Sequence, residues 1–248
     1  MVWLKSLQSM GILAGVLAPA LVSVASLPPQ LQAEYRPDGR ISLEFPPAAD
    51  RGAPARTAGG GVRGENCMEQ GATPLTALMP GNNVWTTVVA NPTLFVYVPK
   101  TNAKEAEFSV LDAQGKDVYL EKVKLTGEAG VVKVTMPESA ELKTGKDYTW
   151  SFSIVCNAQE RSGDIYVRGV LQRTELSAGL KSELEKAAPL EQAQIYAKAQ
   201  VWNETLALLA QLRNSSPQEW EQLLKSVGLE AIAQAPFIGV SAAELLPR

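Results

Sequence analysis

The chain has 248 residues, of which 46% are hydrophobic and 20% are charged, a composition typical of a globular protein. Its 23 basic residues are balanced by 26 acidic ones, so it lacks the basic surface that nucleic acids require, and we expect no nucleic-acid partner. It contains no histidine, which excludes histidine-activated nucleophiles and histidine metal ligands, and two cysteines alone cannot complete a zinc site. We therefore expect no cofactor and no metal.

Residues 1–25 have the layout of a secretory signal peptide. Lys5 precedes an apolar run at residues 10–25, which ends in the small-residue sequence Ser23-Val24-Ala25. The run is shorter than the roughly 20 residues that span a membrane, although an uncleaved signal anchor remains the alternative. We expect cleavage after Ala25, no transmembrane span in the mature chain, and export to the periplasm or the extracellular space.

Residues 26–66 are predicted to form a flexible arm rich in proline and glycine. Only residues 41–45 alternate between apolar and polar side chains as a short strand would. The glycine-rich stretch at residues 59–64 lacks the Gly-Lys-Ser/Thr ending of a phosphate-binding loop, so we interpret it as a leader into Cys67.

Cys67 and Cys156 are the two cysteines of the chain, and in an exported protein we expect them to form a disulfide. No Cys-x-x-Cys spacing is present, which argues against a redox-active pair. Two free, buried cysteines are the alternative.

Residues 67–174 are predicted to form a β domain. Short runs of alternating hydrophobicity are separated by turn signals and not by helices, a pattern that favours an antiparallel sheet. Seven such runs in about 90 residues fit an immunoglobulin-like or fibronectin-like β-sandwich, so the predicted fold class is mainly β with some α. The candidate strands are residues 85–89, 93–98, 107–111, 118–125, 131–136, 148–156 and 165–173.

The segment at residues 142–156 supports this fold class. Leu142-x-x-Gly145-x-x-Tyr148 resembles a tyrosine corner, in which a tyrosine hydroxyl bonds to upstream backbone. After it, alternate residues from Tyr148 to Cys156 are predicted to face the core.

Residues 175–229 have helical periodicity and are predicted to form a helical hairpin or small bundle. One helix is expected to end before Pro189, and a second of about 20 residues carries an apolar stripe that includes Trp202. A third has Ser216 as its N-cap and Gly228 after its end. The tail at residues 230–248 shows no clear period.

Several sequence blocks are jointly specific, although each is short. They are Pro74-Leu-Thr-Ala-Leu-Met-Pro80, Pro92-Thr-Leu-Phe-Val-Tyr-Val-Pro99, Glu107-Phe-Ser-Val-Leu-Asp112, Tyr148-x-Trp-x-Phe-Ser-Ile-Val-Cys156, Arg161-Ser162-x-Asp164-x-x-Val167-x-Gly169, and Tyr196 with Trp202, Leu206, Leu212 and Arg213. Taken together, residues 59–229 resemble the cyanobacterial family called domain of unknown function 928. The resemblance implies an uncharacterised exported protein with a β domain followed by helices, and it implies no activity.

Arg161, Ser162 and Asp164 are the candidate ligand contacts, because they form a compact polar cluster between two predicted strands. Arg161 could hold a carboxylate or a sugar acid, with Asp164 orienting it. The alternative is a loop salt bridge in which Ser162 satisfies the turn backbone. The aromatic residues Trp85 and Trp202, with Tyr97, could line a sugar platform, but core packing explains aromatics in strands and helices more often.

The residues favour an exported, non-catalytic module that binds a protein or an envelope glycan. A structural component of the envelope is the alternative, and a carboxylate-dependent hydrolase is a weaker one, since it needs two facing acids that the sequence cannot place. No residue is predicted to be catalytic.

Overall fold

The computed structural model describes residues 43–46, 67–69 and 71–240, and the following statements concern these residues. The predicted signal peptide at residues 1–25 lies outside them, as do most of the arm at residues 26–66 and the tail after residue 240. Within the described part, no helix is long and apolar enough to cross a bilayer.

The described chain is β-rich, with two sheets in a sandwich-like arrangement and four helices near the C-terminus. The strands are β1 (Thr76–Ala77), β2 (Val84–Thr87), β3 (Thr93–Val98), β4 (Glu105–Leu111), β5 (Asp117–Lys124), β6 (Gly130–Thr135), β7 (Asp147–Ile154), β8 (Ile165–Arg173) and β9 (Phe237–Val240). The first sheet has the order β1-β3-β6-β9 and the second has the order β2-β8-β7-β4-β5.

All seven predicted strands are present, each within two residues of the predicted bounds. The sequence pattern predicts a purely antiparallel sheet, and this prediction is wrong for two of the strand pairs. β2 pairs in parallel with β8, and β6 pairs in parallel with β9, each pair joining segments that are distant along the chain. Turn signals report only connections between neighbouring strands, so they could not reveal these two pairings.

β7 shows how the alternating pattern builds the core. Trp150, Phe152 and Ile154 are fully buried, whereas Ser151 lies on the outer face, where its hydroxyl bonds that of Ser109 on β4 at 2.8 Å. At the start of the strand, the Lys143 backbone N–H donates to the Tyr148 hydroxyl at 2.9 Å, which confirms the predicted tyrosine corner.

The helices are α1 (Ala178–Leu184), α2 (Pro189–Lys198), α3 (Trp202–Leu212) and α4 (Pro217–Ser226). The predicted helix of about 20 residues is therefore wrong, because the chain breaks it into α2 and α3. Gln200, between them, has a positive φ of 58°, which no residue within a right-handed helix adopts. The apolar stripe continues across the break, so periodicity did not detect it.

The end of α4 follows the prediction more closely than its start. Gly228 has a φ of 70°, its N–H donates to the Lys225 carbonyl, and the next N–H donates to the Leu224 carbonyl. These two bonds define a Schellman motif. Ser216 is the N-cap residue as predicted, but its side chain makes no capping hydrogen bond.

The tail supplies a strand that the sequence did not reveal. The Val131 N–H donates to the Pro236 carbonyl at 2.7 Å, and β9 then runs beside β6. A Cβ on Gly130 would lie only 2.5 Å from that same carbonyl oxygen, so a glycine is required for this approach. The β structure thus extends beyond the predicted β domain at residues 67–174.

Residues 43–46 belong to the predicted flexible arm, yet they pack on the helices. Leu43 and Phe45 are buried, and Glu44 between them is exposed. Their side chains alternate as the sequence suggested, although no strand pairs with them.

Candidate functional site

The three polar residues predicted as ligand contacts lie together in the loop between β7 and β8. Arg161 and Ser162 belong to a short 3-10 turn, and Asp164 follows it. The Arg161 Nε donates to Asp164 Oδ2 at 2.5 Å, and its two terminal nitrogens donate to the two carboxylate oxygens of Glu107 on β4, at 3.3 and 2.8 Å. The hydrogen bonds and charge of Arg161 lower the pKa of Glu107, and the two carboxylates raise the pKa of Arg161.

This loop is also attached to the disulfide. Asp164 Oδ1 accepts from the Cys156 N–H at 3.1 Å, and the Glu160 carboxylate accepts from the Ser162 N–H at 3.2 Å. The structure thus contains the predicted loop salt bridge and adds Glu107, from a neighbouring strand, as a second partner. These bonds occupy the guanidinium of Arg161, and a ligand contact at Arg161, Ser162 or Asp164 stays a prediction.

The disulfide between Cys67 and Cys156 is present, with an S–S distance of 2.00 Å and a Cα–Cα distance of 5.3 Å. The Thr101 hydroxyl and the Asn102 N–H both donate to the Cys67 carbonyl, which holds this end of the chain against the β structure. The disulfide leaves no thiol for nucleophilic chemistry. Within the described residues, no group of three or more His, Cys, Asp or Glu side chains could hold a metal ion.

The aromatic residues considered as a sugar platform lie in the core. Trp85 and Trp202 are fully buried, and Tyr97 is 9% exposed. Trp85 Nε1 donates to Asn203 Oδ1 at 3.1 Å, and Trp202 Nε1 donates to the Leu78 carbonyl at 2.8 Å. Core packing therefore explains these residues, and they form no surface platform.

A buried polar cluster at the start of α3 was not predicted. Glu204 Oε1 accepts from the Thr87 hydroxyl at 2.6 Å and from the Val88 N–H at 3.2 Å, whereas its Oε2 is buried and has no hydrogen-bond partner among the described residues. Burial raises the pKa of Glu204. The cluster joins α3 to β2 through these two hydrogen bonds, so we interpret it as a structural connection.

An open groove of about 500 Å³ lies between the end of α3, the start of α4 and the segment before β9. We call it the Arg213 groove, because the Arg213 guanidinium lies between two aromatic rings on its wall. Its Cζ is 5.4 Å from the centre of the Trp220 ring and 5.3 Å from that of Phe237. The groove is lined by Ala210, Arg213, Asn214, Pro217, Trp220, Glu221, Gln234, Pro236 and Phe237.

Hydrogen bonds hold Arg213 in a fixed orientation. One terminal nitrogen donates to the Ala235 carbonyl at 2.7 Å and the other to the Ala233 carbonyl at 2.9 Å. Trp220 Nε1 donates to the same Ala233 carbonyl at 2.8 Å, so the guanidinium and the indole ring share one hydrogen-bond acceptor. Because a guanidinium has five N–H donors, these bonds leave others available to a ligand.

The charge of Arg213 is only weakly compensated. Partial burial lowers its pKa, and Glu221 opposes this effect electrostatically but forms no ion pair with it. Glu221 Oε1 accepts instead from Gln234 Nε2 across the groove. A partly desolvated cation without an ion-pair partner among the described residues attracts an anion more strongly than a fully solvated one does.

This groove could not be predicted from local sequence patterns. Arg213 follows the apolar stripe of α3 and has the appearance of an ordinary solvated residue at a helix end. Phe237 belongs to the tail, where no period was found. The groove exists because β9 returns to the sheet, and that parallel pairing was not predictable from local patterns.

The family resemblance is confirmed by comparison with known families. The family described as Domain of Unknown Function (DUF928) matches residues 58–237. The chain therefore belongs to this family, and the match includes both the Arg161 loop and the Arg213 groove. No curated protein matches the chain significantly.

Among solved structures, CopC from Methylosinus trichosporium OB3b resembles part of the chain. The alignment covers 42% of this chain and 98% of that protein, with 12% sequence identity and a TM-score of 0.27. A likeness at this level carries no argument about function.

Proposed function

We propose that the protein is an exported, non-catalytic binding module that holds a carboxylate-bearing ligand in the Arg213 groove. The observation that carries the proposal is the guanidinium of Arg213, which is fixed by two backbone carbonyls and two aromatic rings and has no ion-pair partner among the described residues. Donors held in place before binding lose little entropy when a ligand arrives.

The chemistry of the groove suits a carboxylate on an acidic peptide or on an envelope sugar. Phe237 offers an apolar surface beside the cation, and Gln234 and Glu221 add polar groups to the lining of the groove. A carboxylate can accept two parallel hydrogen bonds from a guanidinium, which lysine cannot supply.

Export is supported by the signal-peptide pattern and by the disulfide, which is typical of oxidising compartments. A non-catalytic role is supported by the sequence, which contains no histidine, and by the pairing of both cysteines. We also propose the finer fold class, an immunoglobulin-like or fibronectin-like sandwich, which the tyrosine corner at Tyr148 supports.

The test measures binding to the mature protein by calorimetry. One set of probes compares N-acetylmuramic acid with neutral N-acetylglucosamine. Another compares a tetra-aspartate peptide with the corresponding tetra-asparagine peptide, both with acetylated N-termini and amidated C-termini. We expect binding only of probes with a carboxylate, and the two sets distinguish a sugar from a peptide as its source. Equal binding of charged and neutral probes, or no binding in either set, would contradict the proposal.

Two substitutions assign the binding to the groove. Arg213→Met removes the charge and is expected to weaken binding about tenfold or more, and Arg213→Lys keeps the charge but loses the planar fork. Arg168→Met is the matched control, because Arg168 is an exposed arginine on β8, away from the groove. Circular dichroism checks that each variant is folded.

A further inference from the structure

Residues 43–46, which we call the docked segment, are bound to the helices in the way that a peptide is bound. The Leu43 N–H donates to Gln222 Oε1 at 3.2 Å, and the Phe45 N–H donates to Ser226 Oγ at 3.1 Å. Both acceptors are side chains of α4, so no strand ladder holds this extended backbone. The Phe45 ring meets the Trp202 ring edge-on, at 4.9 Å between centroids and an angle of 89°.

The spacing of the two acceptors matches the spacing of the two donors. Gln222 and Ser226 are four residues apart on a helix, which corresponds to a rise of about 6 Å. Leu43 and Phe45 are two residues apart in extended backbone, which corresponds to about 6.7 Å. One helix face can therefore contact every second amide of an extended segment.

One of the two acceptors is oriented by a hydrogen bond within its own helix. The Ser226 hydroxyl donates its own proton to the Leu223 carbonyl at 2.7 Å, so its oxygen presents a lone pair to an incoming N–H. The two apolar side chains of the segment point to the same side and are buried, with Leu43 2% and Phe45 6% exposed. Proteins that bind extended peptides typically bury alternate side chains of the peptide and form hydrogen bonds to its backbone, and both features are present here.

We propose that the face formed by Trp202, Gln222 and Ser226 is a docking groove for an extended segment of the pattern apolar-x-aromatic, and that the docked segment is its tethered, exchangeable ligand. Residues 47–66 connect this segment to Cys67, so the tether is 20 residues long. A tether of that length gives an effective concentration on the order of millimolar, which favours the segment over a free competitor. Release of the segment would expose the groove to another polypeptide with the same pattern.

The first experiment adds a synthetic peptide of residues 40–47 to the mature protein carrying Leu43→Ser and Phe45→Ser. Binding is followed by tryptophan fluorescence, because the phenylalanine ring would contact Trp202. We expect saturable binding to this variant, and the wild-type protein should need at least about tenfold more peptide. A control peptide in which Glu44 and Phe45 exchange places keeps the composition but loses the spacing, and should not bind.

A second variant set tests the backbone read-out. Adding Gln222→Ala and Ser226→Ala to the variant removes both acceptors and leaves Trp202 in place, so peptide affinity should fall about tenfold or more. Equal binding of the two peptides, or a folded variant that binds neither, would overturn the proposal. If the wild-type protein and the variant bound the peptide with equal affinity, the docked segment would not compete with the peptide for the groove, which would also overturn the proposal.

A measurement on the unaltered protein covers the case in which the variant does not fold. Hydrogen exchange of the Leu43 and Phe45 amides should be faster than that of β3, because the segment opens without global unfolding. Exchange of both regions at one common rate would overturn the proposal.

Discussion

The Thr87 hydroxyl and Glu204 Oε1 lie 2.6 Å apart and form a buried hydrogen bond that joins β2 to α3. The same oxygen accepts from the Val88 N–H, whereas the second carboxylate oxygen has no partner among the described residues. Burial therefore outweighs these bonds and raises the pKa of Glu204. The folded state holds a proton on Glu204 at pH values where the unfolded chain has released it.

The first prediction concerns the pH dependence of this site. The unfolded pKa of glutamate is about 4.3, so above that pH the folded state binds more protons than the unfolded state. Glu204 thus lowers the free energy of unfolding as the pH rises from about 4.3 to its folded pKa. Glu204→Gln cannot titrate, and we expect the stability of this variant relative to the wild type to increase across that window.

Urea unfolding between pH 4 and pH 8 measures this difference. Glu138→Gln, at an exposed glutamate, is the matched control for the loss of one carboxylate. A Glu204→Gln curve parallel to the wild type would contradict the raised pKa.

The second prediction concerns the tyrosine corner. Tyr148→Phe removes the acceptor of the Lys143 N–H, which is partly buried, so we expect the free energy of unfolding to fall by about 1 kcal/mol. Tyr166→Phe is the control, because Tyr166 is 38% exposed and its hydroxyl has no partner in the described structure. Equal losses in the two variants would show that the corner bond does not contribute.

The parts of the fold that depend on local pattern could be predicted from the sequence. The β7 alternation and the turn before Tyr148 depend on neighbours a few residues away, and the structure reproduces both. The parallel pairing of β9 depends on Gly130, more than 100 residues earlier in the chain, and nothing local to the tail indicates it. The Arg213 groove shares this origin, and for that reason the candidate site was less predictable than the sheets.

The third prediction concerns the break between α2 and α3. Gln200 has a φ of 58°, which is strained for a residue with a Cβ, and its side chain is exposed. Its carbonyl accepts from the Thr86 hydroxyl, a bond that glycine would keep. Gln200→Gly should therefore raise the free energy of unfolding by up to about 1 kcal/mol.

The matched substitution runs in the opposite direction. Gly228→Ala adds a Cβ at a φ of 70° and should lower the free energy of unfolding by about 1 kcal/mol. Urea unfolding measures both variants, and a destabilising Gln200→Gly would show that the helix break is not under backbone strain.

The fourth prediction concerns the disulfide. Cys67 and Cys156 are 89 residues apart, so their bond restricts the unfolded chain and should stabilise the protein by up to about 4 kcal/mol. Urea unfolding with and without reductant measures the loss, and Cys67→Ser with Cys156→Ser should be insensitive to reductant. Labelling of two thiols in the native, unreduced protein would contradict the disulfide.

The fifth prediction separates a structural role of the Arg161 loop from a binding role. Arg161→Met leaves Glu107 and Asp164 without their cation, and the side chain of Asp164 is only 9% exposed. Because Arg161 itself is 43% exposed, solvent screens much of its charge. We therefore expect the free energy of unfolding, measured by urea unfolding at pH 7, to fall by about 1 kcal/mol. Lys122→Met is the control. It removes the more exposed ion pair with Glu105 and should lower the free energy of unfolding by less than half as much as Arg161→Met does.

The contribution of the Arg161 ion pairs to stability changes with pH in the opposite direction to the contribution of Glu204. Arg161 lowers the pKa of Glu107, so the stabilisation is complete above the unfolded pKa of about 4.3 and is lost as the pH falls through the folded pKa. Arg161→Met should therefore converge with the wild type in acid. A difference that stays constant down to pH 2 would show that Arg161 acts through packing. If Arg161→Met did not change stability at pH 7, Arg161 would have no structural role, and the predicted ligand contact would be favoured.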